Sequence, residues 1–586
     1  MQFSILANAF SEIEKTTSRL KMTEIMAQIF KSASVDVADK IVYLAQGMIA
    51  PAYEGIELGV GEKFTLQAIS LSCGYSRKEV EELYKKRGDL GLVAEELVGK
   101  KKQASLFYQP LSVEKVFDSF MKLAKMSGEG SQEAKIKTLS ELLNHATPLE
   151  ARYLIRFAVG NLRLGIGDAT IIDALSYYST GDKSLREKLE RAYNICSDLG
   201  FVAKSFIKNP HEIGRFRITP FRPIRPALAE REASIEKIIE RLGKCGVDSK
   251  YDGLRMQVHK KGNMIEIYSR KLEKVTPMFP EIVEAVMALG VKEVIFEGEA
   301  LAFSQKEGRY LSFQTTVQRK RKYGVEEMSR DFPLRLFVFD VLEIDGTDMT
   351  LMPFSKRREE LERLFKGGTT LQPSELIVTD SPKEIATFFE GCIKKGLEGI
   401  IAKDLNAPYI AGARKFAWIK LKKSYGQMAD TIDAVIVGYY LGKGQRAEFK
   451  FGGILAAVWN DELEKFETIA RVGSGFTEDE MQKLQGMLKK IAINEKPKNL
   501  DSKIVPDFWC RPRYVISITA DEISHSPMHT CGFENGRGLA LRFPRILAIR
   551  EDKGIYDVTT TKEVKKLFEM QTLISHEAKK RAGAVI

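Results

Sequence analysis

Lys250-Tyr251-Asp252-Gly253-Leu254-Arg255 places a lysine beside an acid, a glycine and an arginine. These residue types suit nucleophilic attack, because a lysine freed of its proton by burial or neighbouring cations is a nucleophile. Apolar residues alternate afterwards at Leu254, Met256 and Val258, which predicts a strand with Lys250 at its lip and a tight turn at Gly253. Strings of this kind also occur in surface turns, so the weight rests on the residues further along the chain. Arg255, Arg270 and Lys271 come next, and Lys420 and Lys422 alternate in WIKLK so that both face one side of a strand. Such cations would cradle a triphosphate. Glu297 and Glu299 alternate in FEGEA, and Glu398 opens EGIIAK; Glu299 and Glu398 are the expected oxygen ligands for Mg2+.

The chain has no G-x-x-x-x-G-K-[ST] string, so a nucleotide would not be held by a phosphate-cradling loop of that type. The G-x-G strings at Gly59, Gly165 and Gly473 lack the spacing of a dinucleotide site and read as turns. Phosphoryl chemistry then falls to the lysine, whose amine would attack the α-phosphate of a nucleoside triphosphate and displace pyrophosphate.

Three domains are expected to position these residues in a chain of 586. Residues 1–215 repeat apolar positions at three and four, as in SVEKVFDSFMKLAKM and PLEARYLIRFAVGNLRLGIGDATIIDALS, and predict an all-α domain. Ser131 and Thr147-Pro148 are expected helix starts. Pro210, Pro220, Pro223 and Pro226 then break any helix and mark a boundary. Residues 216–423 interleave short strands with helices, predicting an α+β domain with a mainly antiparallel sheet. From 424 to 586 short alternating strands with Gly-rich turns predict a five-stranded OB-like β-barrel with a basic C-terminal helix. Arg542, Arg545, Arg550, Asp552 and Lys553 form its largely basic end.

Net charge is +11 with a pI near 9.0, a balance that suits a phosphate-rich partner such as nucleic acid. The six cysteines are scattered without paired spacing and read as reduced and intracellular. His525, His529 and Cys531 lack the fourth ligand of a zinc site. No apolar run approaches the roughly 20 residues of a membrane span, so a cytoplasmic protein is expected.

KYDGLR, SRK, FEGEALAF, FVFDVL, EGIIAK and WIKLK occur in the order and spacing of the covalent nucleotidyltransferases. The whole chain resembles the archaeal-type ATP-dependent DNA ligases; PLEARYLIRFAVGNLRLGIGDATI is similar to their helical DNA-binding domain and GRGLALRFPRILAIREDK to their last motif. The resemblance implies that Lys250 carries AMP taken from ATP. It puts Asp248, where the family usually has glutamate, against the nucleotide. It assigns ribose and phosphate to Arg255 and Arg270, nucleotide or metal to Glu299, and adenine stacking to Phe339. Arg414 and Lys420 would contact the triphosphate, with Lys403 and Lys422 close by. The implied partner is nicked double-stranded DNA, sealed in replication, recombination and repair by a nucleoid-associated monomer. Gln103, Leu106 and Phe107 resemble the short peptide that docks on sliding clamps of the PCNA type, and Lys100, Lys101 and Lys102 before it could lie along a phosphate backbone or be solvated. An RNA-capping guanylyltransferase shares the lysine motif, an NAD-dependent ligase would carry a cysteine zinc module, and a DNA-binding scaffold would need no nucleophile.

Overall fold

A computed structural model describes residues 1–101, 109–232, 234–304, 309–311, 315–316, 318–320, 324–422, 431–442 and 451–571. It divides into two compact units, Met1–Arg217 and Ile218–Ile586. Gln103, Leu106, Phe107 and Lys102 lie outside the described residues. No described helix is long and apolar enough to cross a membrane.

The first unit is helical, and its described helices bury one continuous core that includes Phe10, Phe30, Phe120, Leu154 and Phe206. Helix Ser131–Asn144 starts at the expected residue. Thr147 caps Pro148–Ala158 in a reciprocal box with Glu150, satisfying amides that the first turn leaves open. The long apolar stretch after Pro148 folds as two helices: Gly160, Gly165 and Gly167 separate Pro148–Ala158 from Asp168–Thr180, with Gly160 and Gly165 at positive φ. Lys101 is not laid open along the surface. Its ammonium donates to the Leu143 carbonyl at 2.7 Å, closing the end of a helix, while Lys100 pairs with Glu96 at 3.1 Å.

The proline-rich segment is shared by the two units. Pro210–Arg215 forms a short helix of the first. In the second, the amides of Phe221 and Ile224 donate to His259 Nδ1 at 3.0 Å and Gln257 Oε1 at 2.7 Å.

The second unit begins with twelve strands: β1 (Leu228–Arg231), β2 (Cys245–Lys250), β3 (Leu254–Lys261), β4 (Met264–Ser269), β5 (Glu293–Ser304), β6 (Arg309–Tyr310), β7 (Leu334–Ile344), β8 (Thr347–Asp348), β9 (Leu371–Pro373), β10 (Leu376–Thr379), β11 (Gly399–Asp404) and β12 (Arg414–Lys422). They make two sheets rather than the single sheet expected. One runs β1-β12-β11-β2-β10, the other β4-β3-β5-β7-β8 with β6 and β9 at its margins. Most pairs are antiparallel, while β1–β12 and β7–β9 are parallel. Each sheet has its own apolar core, and the chain crosses between them at Tyr251-Asp252-Gly253. Arg357, on helix Phe354–Phe365, donates to both carboxylate oxygens of Asp340 at 2.7 and 3.0 Å, with both side chains fully buried. Breaking one side of such a pair costs about 3–5 kcal/mol, so β7 is firmly held beside Phe339.

Five further strands form a circuit. Ile432–Tyr440, Gly453–Asn460 and Lys465–Val472 follow as an antiparallel meander. Val515–Thr519 pairs with the first, Arg545–Ile549 pairs with Val515–Thr519, and a parallel bridge from Ser474 to Arg545 returns to the third. Helix Glu478–Lys489, capped by Thr477 and Glu480, lies between the third and fourth. A final helix over 561–571 follows.

Candidate active site

Lys250 ends β2 facing Gly399 of β11, which in turn faces Lys422 of β12. This row is close-packed: Gly399 has φ +147°, and a Cβ there would meet the Leu421 carbonyl oxygen at 2.1 Å. Only glycine accepts that approach. Glu398, just before it, donates its amide to the Lys250 carbonyl at 3.0 Å and its carboxylate takes the Lys250 ammonium in a short ion pair. Lys422 is 3.4 Å from the same oxygen. Burial works to raise the Glu398 pKa, but Lys250 and Lys422 together outweigh it and hold the carboxyl well below the usual range.

The second sheet supplies the opposite wall. Arg255 of β3 stands across from Glu299 of β5. Its guanidinium donates to Glu297 at 2.8 Å and to the Ala227 carbonyl at 2.9 Å. Glu297 also accepts from the Tyr409 hydroxyl at 2.7 Å, so this alternating pair of acids divides its tasks: Glu297 anchors the arginine, and Glu299 lines the cavity. Glu299 accepts the Gly253 amide at 3.2 Å. Burial pushes its pKa up to about 7 against the pull of Lys250 and Arg255. Burial and the charge of Glu398 likewise raise Asp252.

β7 carries Phe337 and Phe339, which differ in kind. Phe337 is buried and stacked on Tyr251 at 4.3 Å. The register slips between Glu297 and Gly298, leaving Phe339 without a partner on β5; such a bulge re-aims a side chain. Phe339 lines the cavity beside Trp418. Lys403 is buried, donating to Asp248 Oδ2 at 2.8 Å and the Phe339 carbonyl at 2.9 Å, and burial lowers its pKa despite Asp248.

The C-terminal strands and the segment after them close the third side. Asp433 takes the Lys553 ammonium in a short contact, and Arg550 binds Asp552 through two bonds of 2.8 Å. Burial brings Lys553 down to about 8 although Asp433 opposes it. Arg270 stands 3.9 Å from Asp557. Lys420 pairs at 3.1 Å with Glu563 of the final helix. Arg542 and Arg545 stay outside the cavity lining, bonded to Ser524 and Asp521 at 2.7 Å. The enclosed space is about 710 Å³ and is lined by Asp248, Lys250, Arg255, Arg270, Glu299, Phe339, Glu398, Lys403, Lys420 and Lys422 together. Arg414 opens β12, and its side chain lies outside the described residues. Asp252, Asp433, Trp418 and Glu563 are cavity residues that motif spacing missed. Asp433 had one signal, a lone acid in the apolar strand IDAVIV.

A cavity that joins a lysine at a strand end, a surrounding cradle of cations and several acids can host attack on a phosphate and stabilise the charge that leaves. Among known proteins, the family described as "ATP dependent DNA ligase domain" matches residues 226–422. "DNA ligase N terminus" matches 2–176 and "ATP dependent DNA ligase C terminal region" matches 447–553. A "Probable DNA ligase" of Dictyoglomus turgidum is 47% identical over 576 residues, covering 97% of this chain and 98% of that one. The "DNA ligase" of the archaeon Hyperthermus butylicus is 40% identical over 601 residues, with the same coverage. The "DNA ligase" of Sulfurisphaera tokodaii is 40% identical over 588 residues, again with 97% and 98% covered.

Proposed function

The chain belongs to the ATP-dependent DNA ligase family, and on that premise we propose that Lys250 is the nucleophile that carries AMP from ATP to a nick. Its amine forms a bond to the α-phosphorus as the bond to pyrophosphate breaks. The 5′-phosphate of the nick then displaces the lysine, and the adjacent 3′-hydroxyl attacks that phosphate and expels AMP. The observation that carries the assignment is Lys250 at the floor of a cavity lined by Arg255, Arg270, Lys420, Lys422, Arg550 and Lys553. Before attack the amine must leave Glu398 and give up its proton, and Lys422 keeps that carboxylate balanced meanwhile. Arg255 and Arg270 serve ribose and phosphate, Lys420 and Arg414 the triphosphate, and Phe339 stacks on the base.

The cavity acids suit Mg2+: Asp252 and Glu299 are both raised in pKa by burial, a strain that a divalent cation would relieve, and their oxygens are hard ligands. Glu299 and Glu398 would hold it. When bound it would withdraw charge from the phosphates.

Residues 1–215 would grip DNA, 216–423 adenylate, and 424–586 act as an OB fold. The five-strand circuit with its helix between the third and fourth strands supports that last reading. The enzyme would work as a cytoplasmic, nucleoid-associated monomer in replication, recombination and repair, with contacts mostly to the DNA backbone and a steep salt dependence. Gln103, Leu106 and Phe107 would dock it on a PCNA-type sliding clamp; Phe107→Ala is expected to weaken clamp binding in a titration while leaving self-adenylation intact, and an unchanged affinity would sink the docking. The function itself is tested by labelling with α-labelled ATP, GTP or NAD and then adding nicked DNA. Label retained from ATP alone and released as AMP with nick closure supports the reading. Label from GTP alone would favour a capping enzyme, and none from any nucleotide a DNA-binding scaffold.

A further inference from the structure

The second unit begins with a segment that its own side chains hold in place. Pro220, Pro223 and Pro226 recur at every third position, and the residue after each has both its amide and its carbonyl bound by a side chain. Phe221 donates to His259 Nδ1 and accepts from the Tyr268 hydroxyl, both at 3.0 Å. Ile224 donates to Gln257 Oε1 at 2.7 Å and accepts from Gln257 Nε2 at 2.9 Å. Ala227 donates to the Tyr409 hydroxyl at 2.8 Å and accepts from Arg255 Nη1 at 2.9 Å. A buried backbone needs such bonds, and the partners here lead to the cavity. Arg255, Gln257 and His259 alternate along β3 and share one face, and Arg255 lines the cavity while Gln257 and His259 do not.

Gln257 is 3% exposed and has no bonding capacity left. Its Oε1 also accepts from His259 Nε2 at 2.9 Å, and its Nε2 also donates at 3.2 Å to Oε1 of Glu297, which faces it on β5. An amide has two donors and two acceptor sites, so its orientation is fixed. Burial brings the His259 pKa down to about 3; the ring is neutral and, with Nδ1 accepting from Phe221, carries its proton on Nε2. Glu297 in turn takes Arg255 Nη2 and the Tyr409 hydroxyl on its other oxygen. Arg255 Nε is then left buried without a partner, a donor that a ligand in the cavity would satisfy.

We propose that Gln257 is a positioning residue for the nucleotide: it stitches the segment Phe221–Ala227 and Glu297 into one support that holds Arg255, so that this segment works as part of the active site. The proposal rests on the reading of the cavity as the nucleotide site around Lys250.

The test follows self-labelling of the full chain over a range of α-labelled ATP concentrations in wild type, Q257M, R255M/E297Q and Q257M/R255M/E297Q. The paired change removes Arg255 without leaving a buried charge alone. Q257M is expected to raise the KM for ATP about tenfold or more, because Arg255 is misplaced. In the arginine-free background the same change should alter kcat/KM by less than about twofold, because Gln257 acts only through Arg255. Equal factors in the two backgrounds overturn the proposal. So does a Q257M loss confined to the maximal rate with KM unchanged, which is what a smaller folded fraction gives. If Q257M does not fold, or the arginine-free chain takes too little label to follow, Tyr409→Phe decides, since it deletes one hydroxyl of the same support: a raised KM supports the proposal and an unchanged one overturns it. Failure of the site reading looks different, because wild type would then take no label on Lys250.

Discussion

Lys250 and Glu398 illustrate how neighbours rather than residue type set a side chain's chemistry. Both were legible in the sequence from KYDGLR and EGIIAK, and so was the alternation of Glu297 and Glu299. What spacing could not give was the division of labour, since Glu297 is consumed by Arg255 and Tyr409 while Glu299 stays in the cavity. Those partners come from strands far apart in the chain. Glu343 is another buried acid, 2% exposed on β7 and away from the cavity lining. Burial, aided by Glu293 and Asp345, lifts its pKa from 4.5 to about 7. The folded state therefore holds its proton where the unfolded state releases it, and stability should fall as pH rises from about 4.5 to 7. Glu343→Gln is expected to be more stable than wild type at pH 8, by at most about 3 kcal/mol, with the gain vanishing near pH 4.5. Denaturant melts across that range check it, and a gain independent of pH would contradict it.

Among the elements, the turn between β2 and β3 matters most, because it joins the two sheets at Lys250. The individual strands were readable from period-two alternation, but their separation into two sheets was not: pairing depends on which edges meet, and β2 pairs with β10 and β11 rather than β3. The bulge that turns Phe339 toward the cavity was equally hidden, since FVFDVL alternates without a break. Gly253 shows the packing directly, for a Cβ would lie 2.3 Å from the Ala300 carbonyl oxygen and 2.9 Å from Leu301 Cδ1. Gly253→Ala must therefore push β3 from β5 and disturb the amide bond to Glu299. Self-adenylation is expected to fall about 100-fold or more, as misplacement of about 1 Å can bring; a single-turnover rate within threefold of wild type would contradict it.

On the scale of the second unit, the helix over 561–571 and the segment from Leu547 to Asp557 complete the cavity. Short alternating strands after residue 424 were expected and five of them form the circuit, but the reach of Glu563 to Lys420 over 143 positions left no trace in local pattern. Since Lys420 is assigned to the triphosphate, Glu563 competes with ATP for it. Glu563→Gln is expected to lower the KM for ATP in self-adenylation several-fold, as a charge-assisted contact worth about 1 kcal/mol would; a raised KM would show that the helix instead helps bind the nucleotide. Every step of the proposed reaction depends on the bond between Lys250 and AMP. The most direct measurement is the intact mass of wild type and Lys250→Ala after incubation with ATP and Mg2+, together with peptide mapping of the adduct. One AMP on wild type, mapped to Lys250 and absent from the variant, is the predicted result; an adenylated Lys250→Ala protein would contradict the account.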